Sequence, residues 1–221
     1  MAAEDEMIVM VGGEKGGVGK TTLATHLAVA RKAQGSSVVL VDADSQGTSS
    51  VWSDARKEHP EVPQVPCVSL RGGKVHVELK ELARLYDDVV VDTGGADSQE
   101  FRSAMLAADT LLMPLRPGSF DFWTLLKMQE VVALAEGFND SLRAVVVLSQ
   151  VPPTAVDRAR REAIEVLSEM PRFKLLNTMT VFRAAFNHSA GEGLTVDEMP
   201  RRDLKACSEI SFLHQELFAG A

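Results

Sequence analysis

The segment GGEKGGVGKTT, residues 12–22, has the composition of a loop that binds phosphate groups. Its small residues let backbone N–H groups turn inward around a polyphosphate, and the helix that follows presents its positive N-terminus to the same anion. The side chain of Lys20 can reach the outer phosphates of a nucleotide, and the hydroxyl of Thr21 can ligate Mg²⁺. A second lysine, Lys15, precedes the glycines. We predict a nucleotide-binding loop made of Gly13, Glu14, Lys15, Gly16, Gly17, Val18, Gly19, Lys20, Thr21 and Thr22.

Three aspartates stand at or just beyond the ends of apolar runs. Asp42 and Asp44 are two residues apart in VDADSQG, so in an extended chain both side chains point to the same side and can face one ligand. Asp92 ends the run DVVVD, where a carboxylate can hold the hydration shell of Mg²⁺. For Asp42 or Asp44 the alternative is that the carboxylate caps the helix that follows.

The elements that would position these residues are short, continuously apolar runs separated by helical patterns. Continuous hydrophobicity is typical of strands buried on both faces, as in a parallel sheet. Such runs predict strands at 7–13, 37–44, 88–95, 109–117 and 142–150. Apolar residues at helical spacing predict helices at 20–35, 120–137, 154–170 and 203–218.

This alternation predicts an α/β fold: a single doubly wound domain over residues 1–221, with a mostly parallel central sheet flanked by helices. In such sheets ligands bind beyond the carboxyl ends of the strands, which is where the glycine-rich and aspartate-rich segments fall.

The composition excludes several classes of protein. The formal net charge of −8 argues against a surface coated for nucleic acid, although most of the acidic excess lies in residues 1–150 and a local basic patch remains possible towards the C-terminus. Cys67 and Cys207 lie far apart without His or Cys neighbours, which suggests neither a disulfide framework nor a metal cluster. The acidic start and the short apolar runs predict neither a secretion signal nor a membrane span. We therefore expect a cytoplasmic protein.

With Lys15 in place, KGGVGKTT resembles the deviant Walker A motif of the ParA/MinD class of P-loop ATPases. The resemblance implies ATP and Mg²⁺ as cofactors and an ATP-bound homodimer, in which Lys15 reaches the phosphates of the nucleotide in the partner subunit. It implies that Lys20 binds the nucleotide and that Asp44 orients or activates the attacking water. Asp42 would support the metal site together with Thr21 and Asp92. The catalytic residues predicted in this way are Lys15, Lys20 and Asp44.

The chain departs from the pattern of many partition ATPases at three places. Ser45 replaces a usual proline, Gly94 and Gly95 replace prolines after Asp92, and Ser149 replaces an asparagine near the expected base pocket. The segment AADTLLMPLRPGSFDF matches a family element that leads into a dimer-facing helix. It suggests that Phe120, Phe122 and Trp123 lie at a subunit interface, with a place in the core as the alternative.

Partition ATPases of this kind bind DNA nonspecifically as ATP dimers and respond to a centromere-binding, ParB-like partner or an analogous adaptor. By that resemblance the ATP-bound protein would associate with the nucleoid and partition plasmid or chromosomal DNA. The candidate phosphate contacts are Arg183, Arg201, Arg202 and Lys205, and for Arg201 and Arg202 an ordinary solvated position is the alternative. Membrane binding is disfavoured because no lysine or arginine follows Lys205. Two other functions stay open: positioning of a cargo other than DNA, and an ATP-dependent synthetase of the dethiobiotin or cobyrinate type, whose members generally lack a counterpart of Lys15.

Overall fold

The computed structural model describes residues 6–13, 16–118 and 122–218, and the strands in this part of the chain form one sheet. The order across the sheet is β3-β2-β4-β1-β5-β6-β7, and every neighbouring pair is parallel. The strands are β1 (Met7–Val11), β2 (Val38–Ala43), β3 (Cys67–Ser69), β4 (Asp88–Thr93), β5 (Thr110–Leu115), β6 (Arg143–Val151) and β7 (Phe173–Val181).

Helices connect the strands and cover both faces of the sheet. They are α1 (Lys20–Ala33), α2 (Thr48–Arg56), α3 (Val75–Ala83), α4 (Gln99–Met105), α5 (Phe122–Glu136), α6 (Val156–Ser168), α7 (Ala184–Gly191) and α8 (Leu204–Phe218). A short 3₁₀ turn, Pro153–Ala155, leads into α6. None of the described helices combines the length and the apolar character needed to cross a bilayer.

The core is divided by the sheet because successive side chains of a strand point to opposite faces. Met10 packs on the face that α3, α4 and α5 cover, whereas its neighbour Val11 packs on the face that α1, α2 and α8 cover. Phe101 of α4 is fully buried on the first face, and Trp52 of α2 is buried on the second. The predicted doubly wound α/β fold is confirmed, and the described sheet is parallel throughout.

The predicted strands and helices are all present, with ends that differ by a few residues. The sequence prediction omitted β3, β7 and helices α2, α3, α4 and α7. β7 is an edge strand whose side chains are only partly buried, so it carries no continuous apolar run. β3 has three residues and is largely exposed, and α2 has a polar sequence in which Trp52 is the large apolar residue.

The sheet register brings the predicted site residues to one edge. Val11, the last residue of β1, pairs with Asp92 of β4, and Asp92 pairs on its other side with Asp42 of β2. The loop after β1 therefore leaves the sheet directly beside the two carboxylates. This is the carboxyl edge, where open α/β sheets bind ligands.

Candidate functional site

The loop between β1 and α1 has the backbone shape of an anion-binding concavity. Gly17 and Gly19 have φ values of 72° and 94°, in the left-handed region, whereas Val18 between them does not. Alternation of this kind turns successive N–H groups to the same side. Helix α1 begins at Lys20 immediately afterwards, so the N–H groups of its first turn point towards the same space. Glu14 and Lys15 lie outside the described residues.

Gly12 is required by close packing at the entrance to this loop. A Cβ atom at position 12 would stand 2.5 Å from Oγ1 of Thr93 and 2.6 Å from the ring of Phe101. The Thr93 hydroxyl in turn donates to the carbonyl of Val11 at 3.0 Å. The ends of β1 and β4 are thereby held together where the phosphate-binding loop departs. At Gly13 and Gly16 a Cβ would meet nothing within 4 Å.

The hydroxyl of Thr21 and the carboxylate of Asp92 are in direct contact. Thr21 donates to Oδ2 of Asp92 at 2.7 Å, and the buried hydroxyl of Ser49, in the first turn of α2, donates to the same oxygen at 2.8 Å. Burial raises the pKa of Asp92 to about 6, although both hydrogen bonds favour the charged form. The nearby negative charges of Asp42 and Asp44 contribute to this raised pKa in the same direction as burial.

These residues fit a divalent cation of the Mg²⁺ type. The other carboxylate oxygen of Asp92, Oδ1, is buried and has no hydrogen-bond partner among the described residues. Such a buried acceptor is costly to leave unmatched. Hydroxyl and carboxylate oxygens are the donors that Mg²⁺ prefers, usually together with waters and substrate phosphates. Thr21 would supply a direct ligand, and Asp92 would hold the hydration shell.

Asp42 faces α2 instead of the space above the phosphate-binding loop. Its Oδ2 accepts from the backbone N–H and the hydroxyl of Ser50, at 2.8 and 2.6 Å, and Arg71 lies 3.4 Å from Oδ1. The carboxylate is fully buried. Its contacts agree with the capping alternative, and a role of Asp42 in metal binding stays a prediction.

Asp44 lies at the surface of the site, two residues further on. Its Oδ1 accepts from the N–H of Gln46 at 3.0 Å, and the side chain packs on Gly94, where an added Cβ would stand 3.3 Å from Oδ1. Asp44 is half-buried and therefore reachable by water. The segments that follow β2 and β4 therefore lie side by side at Asp44 and Gly94.

A pocket opens on the other side of the loop, between α1 and the ends of β6 and β7. Residues lining it include Gly19, Thr22, Ser149, Gln150, Thr180 and Arg183. The side chain of Gln150 donates to the carbonyl of Gly17 at 2.8 Å. The pocket adjoins the phosphate-binding loop, and a role in holding the nucleoside part of a nucleotide stays a prediction.

The basic residues predicted to contact DNA occupy two different environments. Arg183 donates to Oε1 of Glu209 from Nε and Nη2, at 3.0 and 2.8 Å, and its side chain is 19% exposed. These contacts hold it in the pocket wall and do not support a DNA contact. Arg201, Arg202 and Lys205 are exposed around the start of α8.

The aromatic residues predicted at a subunit interface are only partly described. Phe120 and the side chain of Phe122 lie outside the described residues. Trp123, in the first turn of α5, is 74% exposed, which excludes the core alternative for this residue within one chain.

Sequence reasoning missed four residues that shape the site: Ser49, Ser50, Arg71 and Gln150. The two serines follow Asp44 in the segment SQGTSS, whose polar composition gives no signal that neighbouring hydroxyls bind two different carboxylates. Gln150 is the last residue of the predicted strand 142–150, and its position at the carboxyl edge is a usable signal. Arg71 follows β3, a strand that the sequence did not reveal.

The fold, the glycine-rich loop and the Thr21–Asp92 pair define a P-loop nucleotide-binding protein. Residues 9–196 match the family described as "CobQ/CobB/MinD/ParA nucleotide binding domain". The chain belongs to this family and is a ParA/MinD-type ATPase.

Individual relatives match between about three quarters and nearly all of the chain. It is 31% identical over 219 residues to "Maintenance of carboxysome distribution protein A" of Halothiobacillus neapolitanus, across 98% of this chain and 99% of the relative. It is 25% identical over 210 residues to "Chromosome partitioning protein ParA" of Caulobacter vibrioides, across 77% of each chain. An ATP complex of McdA from Cyanothece superposes with a TM-score of 0.73 at 18% identity, covering 98% and 97% of the two chains.

Proposed function

We propose that the protein is an ATP-switched, dimerising ATPase that positions a cargo in the cytoplasm by binding DNA nonspecifically when ATP is bound. The observation that carries this proposal is the Thr21–Asp92 contact beneath a phosphate-binding loop, in a chain of the ParA/MinD family. Binding of ATP would assemble the dimer, and hydrolysis, stimulated by an adaptor protein, would release it. The domain expected over residues 1–221 would act as one unit.

The residues divide this work between binding and switching. Lys20 and the N–H groups of the loop would bind the phosphates, and Thr21 and Asp92 would hold Mg²⁺. Asp44, half-buried and next to Gly94, would orient the attacking water. Lys15 would reach the nucleotide of the partner subunit, in the way that an arginine finger completes other active sites.

The cargo favoured by the comparisons is a protein body such as a carboxysome. The relative from Halothiobacillus, which is named for carboxysome distribution, matches over nearly its whole length, whereas the ParA relative matches over 77% of its own. Partition of plasmid or chromosomal DNA with a ParB-like partner is the second candidate, supported by that ParA similarity. A synthetase of the dethiobiotin or cobyrinate type would require turnover of a small carboxylic acid with ATP.

DNA would be bound by exposed basic residues of the dimer. Arg201, Arg202 and Lys205 are the candidates, since Arg183 is engaged by Glu209. A dimer doubles the patch, so retention of DNA by the ATP-bound protein should fade steeply with salt. Loss of retention in an Arg201→Ala, Arg202→Ala double variant that still dimerises would support the assignment.

Dimerisation tests the proposed switch most directly. In an Asp44→Ala background, which blocks turnover, we expect ATP to convert monomer to dimer in light scattering. Adding Lys15→Ala should abolish the dimer while ATP still binds, because Lys20, Thr21 and the loop remain. Lys80→Ala, at an exposed position on α3, is the control. A normal ATP-dependent dimer with Lys15→Ala would show that the lysine does not act between subunits.

Fluorescence imaging separates the two cargoes. If the cargo is a protein body, deletion of the gene should cluster those bodies while plasmids and chromosomes segregate normally. If DNA is the cargo, deletion should instead raise the frequency of cells that lack a plasmid or a chromosome. Turnover of a small carboxylic acid with ATP would overturn both in favour of the synthetase.

A further inference from the structure

Gln150 has an unusual backbone and an unusual contact. Its φ is 54°, and in the described part of the chain no other residue except glycine has a positive φ. Such a conformation favours glycine or asparagine, and other side chains are strained in it. From this position at the end of β6, its Nε2 donates to the carbonyl of Gly17 at 2.8 Å. The strained backbone therefore accompanies a side chain that reaches across to the phosphate-binding loop.

The contact fixes the direction of one N–H group in the loop. The carbonyl of Gly17 and the N–H of Val18 belong to one planar trans peptide, so they point in opposite directions. A donor that holds the carbonyl on the pocket side turns the N–H towards the concavity between the two positive-φ glycines. Gly17 is itself exposed, with no atom within 4 Å of the place of a Cβ, whereas the side chain of Val18 is buried, so packing holds this peptide on the Val18 side only.

The same segment also borders the second glycine. A Cβ at Gly19 would lie 3.1 Å from Oγ of Ser149 and 3.6 Å from Nε2 of Gln150. The end of β6 is thus in contact with both positive-φ positions of the loop. Ser149 is joined to β7 by the hydroxyl of Thr180, which donates to its Oγ at 3.3 Å.

We propose that Gln150 is a positioning residue that presets the phosphate-binding loop for the nucleotide by holding the carbonyl of Gly17 outward. This inference rests on the proposed binding of ATP and deepens it: the loop is shaped from the β6 side before the phosphates arrive. Preorganisation of this kind raises affinity because the ordering cost is met before binding.

The first test separates the hydrogen bond from the strain. Gln150→Gly removes the side chain and suits the positive φ, so stability should be unchanged or slightly higher. Its dissociation constant for MgATP, measured by titration calorimetry, should rise about five- to tenfold, the effect of one lost hydrogen bond. Gln64→Ala is the matched control, because the amide of Gln64 also donates to backbone carbonyls, those of His59 and Val62, in a distant loop. Its affinity for MgATP should equal that of the natural protein.

The second test measures how the affinity for MgATP depends on pH. A glutamine with a purely structural role would leave this dependence unchanged. In Gln150→Glu a charged carboxylate faces the carbonyl of Gly17 and the phosphates, so affinity at pH 8 should fall further than with glycine. A protonated glutamic acid can donate as the amide does. The deficit relative to the natural protein should therefore shrink as the pH is lowered towards 5.

The outcomes distinguish this inference from the proposed function. If the natural protein binds MgATP and both variants bind it equally well at all pH values, Gln150 does not position the loop and the ATPase proposal stands. The positioning role would likewise be wrong if the loss of MgATP affinity in Gln150→Glu were the same at every pH. If the natural protein fails to bind MgATP, both proposals are wrong.

Discussion

At the scale of single residues, the site is organised by hydroxyl groups that bind buried carboxylates. Thr21 and Ser49 converge on one oxygen of Asp92 and leave the other without a partner among the described residues. A free buried acceptor beside a hydroxyl is costly in the protein alone and useful once a hydrated cation is present. The pair links two otherwise separate elements, the start of α1 and the end of β4, and under the proposed function both would act on the same ion.

Replacement of Thr21 tests this pairing. Thr21→Val replaces the hydroxyl with a methyl group of similar size, so we expect the gain in ATP affinity on adding Mg²⁺ to fall about tenfold or more. Thr21→Ser keeps the hydroxyl and should retain most of the gain. The measurement is ATP affinity with Mg²⁺ and with EDTA for each protein. If Mg²⁺ raised the ATP affinity of Thr21→Val as much as that of the natural protein, Thr21 would not be a metal ligand.

The placement of Thr21 beside Asp92 could be predicted because their types and spacing reflect local chemistry. Thr21 lies two residues after Gly19 in any such loop, and Asp92 ends a strand that the apolar run reveals. The partners of Asp42 could not be predicted, because Ser50 lies on α2 and Arg71 follows β3, two elements that the sequence prediction omitted. Contacts across the sheet carry no signature in local sequence.

At the scale of elements, the buried guanidinium of Arg56 holds the end of α2 to the segment before α8. Its nitrogens donate to both carboxylate oxygens of Glu198 at 2.8 and 2.5 Å, to the carbonyl of Gly193 at 3.1 Å and to that of Pro63. The side chain is fully buried and also lies over the ring of Trp52. At Gly193, φ is 69° and a Cβ would stand 2.4 Å from the backbone nitrogen of Arg56.

Loss of this arginine should be costly. Arg56→Ala removes the cation that neutralises the half-buried carboxylate of Glu198 and the donor to its Oε1 and to two carbonyls, while Thr195 still donates to Oε2, so we expect about 3–5 kcal/mol less free energy of unfolding in urea. The control is its neighbour Lys57, which pairs with Asp54 on the surface, and Lys57→Ala should cause no measurable change. A loss in Arg56→Ala no larger than that in Lys57→Ala would mean that the buried pair does not hold α2.

Sequence periodicity predicted the elements with strong apolar faces and missed those that depend on such polar anchors. Runs of valine indicate the strands at 88–95 and 142–150. Helix α2 is fixed by Arg56, Ser49 and Ser50, and β7 is an edge strand whose N–H groups at Asn177 and Thr178 donate to Glu216 of α8. Polar contacts over long sequence separations explain why these elements were not predicted.

At the scale of the whole molecule, His26 connects the nucleotide-binding helix to the C-terminal part of the chain. On α1, its Nδ1 lies 2.7 Å from the carbonyl of Thr22, to which it donates, and Nε2 accepts from the N–H of Val196 at 3.1 Å. This arrangement requires the neutral ring. Burial lowers the pKa of His26 to about 4, the carboxylates of Asp197 and Glu198 oppose that shift, and Arg56 adds to it.

The stability of the whole fold should therefore fall as the pH is lowered from 6.5 towards 4. In this window the unfolded chain binds a proton at position 26 that the folded protein does not, which lowers the free energy of unfolding by about 2 kcal/mol at pH 5. His214, whose pKa burial also lowers to about 4, adds a second contribution of the same sign.

The measurement is urea unfolding between pH 5 and 7.5 for the natural protein, His26→Gln, His214→Gln and the double variant. Glutamine can still accept from Val196 but does not titrate, so each substitution should remove part of the slope and the double variant should lose both parts. A His26→Gln protein that keeps the full slope would show that the pKa of His26 does not differ between the folded and unfolded states.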